Sequence, residues 1–170
     1  MTLQKEELLF AIDKFINFII MSWIPHITVA SVIENNKKYL FVEEFVQDLV
    51  VLNQPAGHLE ENETIKEACA REVLEETAYK VKVDYLIGIY QERRKNSADM
   101  WLRFCFKCTI EDEVLNRELD KNIIRKVWLT KDDILNPNYN LRSNMVLKCI
   151  NDYESGQRYP NEIIQSSLEK

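Results

Sequence analysis

The chain has 170 residues, 46% of them hydrophobic and 29% charged, and this length and composition predict one globular domain with a sizeable core. Its formal net charge of -6 and pI near 5.1 disfavour nonspecific binding to nucleic acid or anionic membranes, because both reward a basic surface. No basic segment is followed by an apolar core and a small-residue cleavage site, so we expect a cytoplasmic protein with reduced thiols.

Residues 3–23 are predicted to form an amphipathic helix, because apolar residues recur there at three- and four-residue steps. These apolar residues are Leu8, Leu9, Ile12, Phe15, Ile16, Ile19 and Ile20. The longest uncharged stretch, Phe15 to Ile24, has about half the length that a bilayer-spanning helix needs. A helix that packs on the domain or on a second copy is therefore favoured over a membrane anchor, and we expect a monomer or a homodimer.

After His26 the pattern changes to short strands, the first two expected at 26–33 and 39–45 with a hairpin turn at Asn35-Asn36. An apolar run at 49–52 ends at a loop whose proline and glycine interrupt regular structure. The elements expected next are a helix at 64–77, strands at 81–90, 101–110 and 126–129, a helical turn at 131–135 and a helix at 144–153 capped by Ser143. This order predicts an α+β fold in which helices flank a mixed sheet.

Two closely spaced cysteines, Cys105 and Cys108, lie in a segment expected to be a strand. A spacing of three residues in a strand sends the two thiols to opposite faces of the sheet. The other cysteines, Cys69 and Cys149, are isolated in sequence and do not supply the second pair that a zinc site requires. We therefore expect ordinary strand cysteines.

The helix that begins near Thr64 carries several glutamates. Thr64 and Glu67 have the spacing of a capping box, which fixes where the helix begins and therefore its register. At about 100° per residue, one stripe of the helix contains Ile65, Ala68, Cys69, Glu72 and Glu76. The apolar members belong against a core, so Glu72 and Glu76 are expected to point inward, with Glu75 at the margin of the stripe.

Carboxylates on a buried face need a cationic partner, because burying an isolated ionised carboxylate costs several kcal/mol. Ligands that are all oxygen atoms suit Mg²⁺, with Mn²⁺ as the second choice. Arg71 lies outside the stripe, four residues from both Glu67 and Glu75, where we expect it to orient the ligands and not to replace the metal. The alternative is a solvated acidic helix, which the capping register, the stripe and the preceding glycine loop disfavour.

The sequence resembles the Nudix box in Gly57, Glu63 and the run Arg71-Glu72-Val73-Leu74-Glu75-Glu76-Thr77, at the long fixed spacing of that family. It departs at one position, because Ala78 stands where the family usually has glycine. If Ala78 keeps the left-handed backbone of that glycine, we expect strain of about 1–2 kcal/mol. The resemblance implies a Nudix α/β/α sandwich with a mixed sheet, here with the predicted extra N-terminal helix.

The resemblance also assigns roles to the residues of the box. Arg71, Glu72, Glu75 and Glu76 are the expected catalytic residues. Glu72 and Glu76 are expected to be the main Mg²⁺ ligands, Glu75 to add a ligand or accept the proton of the attacking water, and the Gly57 carbonyl to be a further ligand. Members of the family differ in which glutamate is the base, and some recruit a carboxylate from a distant loop. In this chain, the candidates for such a carboxylate are Glu118 and Asp120.

Further segments are similar to a bacterial phosphatase branch of the Nudix family. These segments are Pro25-His-Ile-Thr-Val-Ala30, Asn53-Gln-Pro-Ala-Gly-His58, Leu102-Arg-Phe104, Asn140-Leu-Arg-Ser143 and Ser155-Gly-Gln-Arg-Tyr-Pro160. They imply a Mg²⁺-dependent phosphatase acting on nucleoside di- and triphosphates and on the pyrophosphate ester of the thiamine pyrimidine.

The resemblance defines three expected regions of the chain. They are an amphipathic helical extension at 1–22, a Nudix hydrolase domain at 23–164 and a C-terminal tail at 165–170. Residues 1–20 have no counterpart in the resemblance, so two explanations stay open for them. Either they form a genuine added helix, or translation starts at Met21 and the assigned start site lies too far upstream.

Arg103 is the first candidate for binding substrate phosphates, because a guanidinium group binds phosphate through two parallel hydrogen bonds. The alternative for Arg103 is a surface arginine with a packed stem. Arg158 is a weaker candidate, as are Arg93 and Arg94. Gln54 and His58 flank the loop glycine and are expected to contact the substrate.

Three classes of function stay open at this point. The first is hydrolysis of a small phosphorylated metabolite, and the second is removal of pyrophosphate from the 5′ end of RNA. Because the acidic composition disfavours a polymer substrate, we favour the first over the second. The third is a non-catalytic Nudix-fold binding module, in which we would expect loss of at least one of Glu72, Glu75 and Glu76.

Overall fold

The computed structural model describes residues 12, 14, 24–93 and 99–168. The predicted helix at 3–23 lies almost entirely outside the described residues, as do Arg94 and the last two residues of the predicted tail. Within the described parts of the chain, no helix is long and apolar enough to span a membrane.

Eight strands in the described residues form two four-stranded sheets. The strands are β1 (His26–Val32), β2 (Glu34–Asn35), β3 (Lys38–Val46), β4 (Leu49–Asn53), β5 (Ala56–His58), β6 (Tyr79–Arg93), β7 (Met100–Glu113) and β8 (Ile123–Leu129). The first sheet has the order β5-β1-β7-β6 and is mixed, because β1 and β7 are parallel whereas the other pairs are antiparallel. In the second sheet β3 pairs with β2, β4 and β8, always antiparallel.

Helices cover both sides of the sheets. The helical elements are α1 (Ile65–Thr77), α2 (Lys131–Ile134), α3 (Asn144–Glu154) and a 3-10 turn at Asn161–Ile163. The core beneath α1 includes Val29, Ala68, Cys69, Val73, Phe106 and Cys108. The core beneath α3 includes Ala30, Cys105, Val146, Cys149 and Ile150. Since Cys105 and Cys108 pack into different cores, their thiols lie on opposite faces of β7, as predicted, and the α+β sandwich is confirmed.

The first hairpin turns one residue later than predicted. Asn36 and Lys37 occupy its two central positions with φ of 51° and 63°, whereas Asn35 belongs to β2. A two-residue turn between antiparallel strands needs positive φ at both positions, because that backbone twist matches the twist of the strands. The loop before the glutamate-rich helix also differs from the prediction, since Ala56–His58 forms the short strand β5 against β1.

The ends of α1 agree with the sequence prediction. The Thr64 hydroxyl accepts a hydrogen bond from the Glu67 amide at 3.2 Å, and the Glu67 carboxylate accepts one from the Thr64 amide at 2.8 Å. The helix ends at Ala78, which is left-handed with φ 60° and ψ 13° and donates its amide to the Leu74 carbonyl. Alanine in this conformation carries the strain that glycine would avoid.

Replacing Ala78 with glycine is therefore expected to raise the free energy of unfolding by about 0.5–1 kcal/mol. This is the strain energy relieved in the folded state minus the free energy that the more flexible glycine gives to the unfolded chain. The matched control is Ala70→Gly in the right-handed interior of the same helix, which should lower that free energy by about 1 kcal/mol. Urea unfolding of both variants measures the two changes. Destabilisation by Ala78→Gly as large as that of the control would contradict the strain at the helix end.

Candidate active site

Two glutamates of α1 face β5 and are almost fully buried. Glu72 is 8% exposed and Glu76 is 6% exposed, as the helical stripe predicted. The Ala56 amide donates a hydrogen bond to Glu76 Oε2 at 2.9 Å. A Cβ atom added to Gly57 would lie 2.1 Å from Glu72 Cδ, so only glycine allows the backbone of β5 to approach this carboxylate so closely.

Burial determines the protonation chemistry of these carboxyl groups. It raises the pKa of Glu72, partly offset by Arg71, and it raises the pKa of Glu76 well above its usual range. Negative charge on Asp120 adds to both shifts, and Glu44 adds to the shift of Glu76. The cluster of carboxylates at the end of α1 therefore includes Asp120 and Glu44, which lie outside the helix. Their negative charges make it harder for Glu72 and Glu76 to ionise unless a cation is bound.

Asp120 is positioned by the loop between β7 and β8. Its amide donates a hydrogen bond to the Glu75 carbonyl at 3.1 Å, which ties this loop to the last turn of α1. Asp120 was one of two predicted loop carboxylates, and it lies near the helix glutamates. Glu118, the other candidate, is exposed in the same loop and is not among the charges that shift their pKa values.

Arg71 connects the carboxylates around α1. Its Nε and Nη2 atoms donate to the two carboxylate oxygens of Glu63 at 2.9 and 2.7 Å. Its Nη1 atom donates to Glu72 at 2.8 Å and to Glu75 at 2.9 Å, and Nη2 also donates to the His58 carbonyl at 2.9 Å. This geometry fits the predicted orienting role, and it adds Glu63 as a partner that the sequence analysis did not name.

A cavity of about 280 Å³ opens beside β5. Its lining includes Thr28, Asn53, Gly57, His58, Glu92 and Arg103. Strand pairing explains this grouping, because His58 and Arg103 lie on either side of Thr28 in the register of β5, β1 and β7. The floor of the cavity is thus one face of the mixed sheet, and it begins where β5 contacts the glutamates of α1.

Buried polar atoms around this cavity have no hydrogen-bond partner among the described residues. They are Thr28 Oγ1, Asn53 Oδ1, Glu92 Oε2, and Arg103 Nε and Nη1. Arg103 is only 6% exposed, and an unsatisfied buried polar group costs about 1–3 kcal/mol. Groups of this kind at the floor of a cavity are expected where a polar ligand supplies the missing partners.

The structure brings some predicted substrate residues to the cavity and places others elsewhere. Arg103 and His58 line it. Gln54 is 1% exposed and does not belong to the described lining, and Arg158 lies over the Tyr85 ring at 5.3 Å. Arg93 is exposed at the end of β6. The cavity therefore groups Arg103 with His58, whereas Gln54 lies between β4 and β5 and Arg158 lies in the chain after α3.

Seven polar residues that line the cavity were not among the predicted site residues. They are Thr28, Glu44, Asn53, Glu92, Asn122, Arg142 and Ser143. Asn53 Nδ2 donates to Glu44 Oε1 at 3.1 Å, and Arg142 lies 3.5 Å from the same oxygen. Thr28 and Glu92 become neighbours of Arg103 only through the pairing of strands that are far apart in sequence. A local signal existed for Glu44, because Glu43 and Glu44 interrupt the apolar run of β3.

The end of α1 offers oxygen ligands that suit a divalent cation. Within the described residues, no group of three or more His, Cys, Asp or Glu side chains is arranged to hold an ion, and Arg71 bridges Glu72 and Glu75. The donor chemistry nevertheless fits a hard cation, because the available ligands are carboxylate and backbone oxygens. Glu72 and Glu76 are buried next to β5, where Gly57 has no side chain. A cation that binds there would compensate their negative charge.

Buried helix carboxylates that contact β5, together with an arginine in the adjoining cavity, are features expected of a hydrolase of phosphorus anhydrides. The NUDIX domain family matches residues 24–148, so the chain belongs to the Nudix family and acts as a Nudix hydrolase on pyrophosphate compounds. Phosphatase NudJ of Escherichia coli strain K12 is 40% identical over 140 residues, which are 82% of this chain and 90% of that protein.

Solved structures agree with this assignment. A NUDIX hydrolase from Nitrosomonas europaea is 41% identical with a TM-score of 0.83, covering 86% of this chain and all of its own chain (100%). The NUDIX domain of Shewanella oneidensis NrtR, solved with ADP ribose, is 15% identical with a TM-score of 0.61 and covers 79% of this chain and 89% of its own. The second likeness concerns the fold alone.

Proposed function

We propose that the protein is a Mg²⁺-dependent phosphohydrolase that removes orthophosphate from nucleoside di- and triphosphates and from related esters such as the thiamine pyrimidine pyrophosphate. One observation carries the proposal: buried carboxylates that suit a cation contact β5, and β5 lines a cavity whose floor holds the Arg103 guanidinium, with Nε and Nη1 without partners in the described residues. The similarity to a protein named a phosphatase supports orthophosphate as the product.

Glu72 and Glu76 would hold Mg²⁺, or Mn²⁺ in its place, with Glu75 and the Gly57 carbonyl as further ligands. The bound ion would neutralise charge on the phosphates and lower the pKa of an attacking water. Burial of the two main ligands keeps them away from bulk water, so a cation is the natural compensation for their charge.

The remaining residues of the site position and recognise the substrate. Arg71 holds Glu72 and Glu75 in place and neutralises part of their charge. Arg103 offers Nε and Nη1 to a phosphate group, which a guanidinium binds through paired charged hydrogen bonds. His58 contributes to the wall of the cavity. Glu75 and Asp120 are the candidates for the base that accepts the proton of the water.

We also propose 23–164 as the Nudix domain, between a helical extension at 1–22 and a tail at 165–170. The 3-10 turn supports the late boundary, because Asn161 Nδ2 donates to the carbonyls of Val83 and Asp84 at 3.3 and 3.0 Å and so ties this segment to β6. A cytoplasmic location is supported by the four cysteines, all of them free and buried.

The test measures orthophosphate and pyrophosphate release, with and without Mg²⁺, from nucleoside di- and triphosphates and from pyrimidine pyrophosphates. We expect orthophosphate release that needs Mg²⁺. Pyrophosphate release would keep the Nudix chemistry but move the cleaved bond. Absence of release from every small molecule would favour the RNA 5′-end activity or the binding module, which salt-sensitive RNA binding and binding without turnover would distinguish.

Replacing Arg103 with methionine is expected to lower kcat/KM by about 10- to 100-fold, because a hydrogen bond to a charged group contributes about 1.5–3 kcal/mol. The stability of the protein should not fall, since Nε and Nη1 have no partner in the described residues. Steady-state kinetics and thermal melts measure the two effects. The control is Arg117→Met at an exposed position of the loop after β7, and equal activity of both variants would contradict the role of Arg103.

A further inference from the structure

Charged groups are spread across the floor of the cavity from one edge of the sheet to the other. In the mixed sheet the order β5-β1-β7-β6 places Gly57 on one edge strand, Arg103 two strands away and Glu92 on the other edge strand. Three interstrand steps of about 4.8 Å separate the two edges, a span of roughly 14 Å. Arg103 therefore lies between the proposed metal-binding edge and Glu92, two strands from the first and one strand from the second.

Glu92 faces this cavity without a partner for its inner oxygen. The Oε2 atom is buried and accepts no hydrogen bond from the described residues. Strand register places Glu92 opposite Trp101, and Trp101 lies two residues before Arg103 on the same face of β7. Although Glu92 and Arg103 are diagonal neighbours across the two strands, no ion pair joins them among the described residues.

Charge decides which part of a substrate lies near Glu92. A carboxylate repels phosphate oxygens, so the phosphates belong between the α1 edge and Arg103, where a bound cation and the guanidinium would neutralise them. The organic group of the substrate is then directed toward Glu92. An ionised carboxylate only accepts hydrogen bonds, so this end of the cavity selects for an organic group that donates them.

We infer that Glu92 is a specificity-determining residue, and that its buried oxygen accepts a hydrogen bond from an amino group on the heterocycle of the substrate. This inference rests on the proposed function, because it assumes that a pyrophosphate ester occupies the cavity. The substrates preferred would be pyrophosphates of amino-bearing pyrimidines or purines. A heterocycle without the amino group leaves the buried oxygen unpaired, and sites that hydrogen-bond a substrate group reject analogues lacking it.

The test compares two substrates that differ only in this amino group. They are cytidine triphosphate and its 4-deamino analogue, the triphosphate of pyrimidin-2-one riboside. For the wild-type enzyme we expect kcat/KM to be about 10- to 100-fold higher with the amino substrate, as for a hydrogen bond to a charged group. The ratio is measured on one enzyme preparation, so it does not depend on the fraction of active protein.

Two substitutions at one position separate recognition from folding. Glu92→Met removes the acceptor and is expected to bring the ratio to about 1, whereas Glu92→Gln keeps a neutral acceptor and should give an intermediate ratio. Glu111→Met, at an exposed glutamate of β7, is the matched control and should keep the wild-type ratio.

The outcomes distinguish this inference from the proposed function. Hydrolysis of both substrates with a wild-type ratio near 1 would overturn the role of Glu92 and leave the phosphohydrolase intact. An unchanged ratio in folded Glu92→Met would overturn it as well. Absence of Mg²⁺-dependent release from any pyrophosphate would overturn the proposed function, and the inference with it.

Discussion

Replacing Glu76 with glutamine is expected to lower kcat by about 10³-fold or more while the protein stays folded. Glutamine keeps an oxygen that accepts the Ala56 amide but loses the negative charge that would hold a divalent cation. A metal-assisted reaction owes several kcal/mol of transition-state stabilisation to its ion, and each 1.36 kcal/mol is a factor of about ten in rate. Orthophosphate release at saturating Mg²⁺ measures the loss.

The control for this substitution is Glu61→Gln, an exposed glutamate of the loop before α1. It removes the same charge at a distance from the buried carboxylates and should leave kcat within a factor of about two, as for a surface substitution. If Glu76→Gln kept more than a tenth of the wild-type kcat, Glu76 would not be a main metal ligand.

The same substitution is expected to change the pH dependence of stability in the metal-free protein. Because burial raises the folded pKa of Glu76 above its usual 4.5, the folded state favours the protonated form. The contribution of Glu76 is therefore present at low pH and is lost as the pH rises from about 4.5 through the folded pKa. Urea unfolding at several pH values, in EDTA, should show a smaller decline for Glu76→Gln than for the wild type.

Local patterns in the sequence were sufficient to predict the helix that carries the chemistry. The capping box defined where α1 begins, and the stripe that follows from this register identified the buried Glu72 and Glu76. Both conclusions depend on residues within about three turns of one another. The left-handed backbone at Ala78 was considered only through the family resemblance, which usually has glycine at this position, and the structure shows it.

The grouping of residues at the floor of the cavity was not predictable from local sequence patterns. Arg103 was proposed for its chemistry, but its neighbours Thr28 and Glu92 come from strands whose register is set by pairing across the whole domain. The ends of β6 and β7 were also missed, because pairing continues there through exposed residues without an apolar pattern. Gln54, which was also expected at the substrate, is buried next to Asn53 and is not part of the cavity lining.

Replacing Arg71 with methionine is expected to lower the free energy of unfolding by about 3 kcal/mol. The substitution leaves Glu63, Glu72 and Glu75 without the guanidinium that binds all three, and removing one partner of a buried ion pair costs about 3–5 kcal/mol. The lower figure applies because the arginine side chain is 22% exposed. Arg125→Met is the matched control, since its paired hydrogen bonds to Glu43 are exposed and should contribute less than about 1 kcal/mol.

Activity and cation dependence complete this prediction for Arg71. Misplaced ligands should reduce activity by about 10- to 100-fold, the usual cost of losing a residue that orients metal ligands. Because a cation compensates the same carboxylates, Mg²⁺ should raise the melting temperature of Arg71→Met more than that of the wild type.

Arg71 also lowers the pKa of Glu63, so the stability that this pair contributes is present above about pH 4.5 and is lost as the pH falls below it. Equal melting temperatures of Arg71→Met and Arg125→Met, with no added response to Mg²⁺, would show that Arg71 does not neutralise the metal-binding carboxylates.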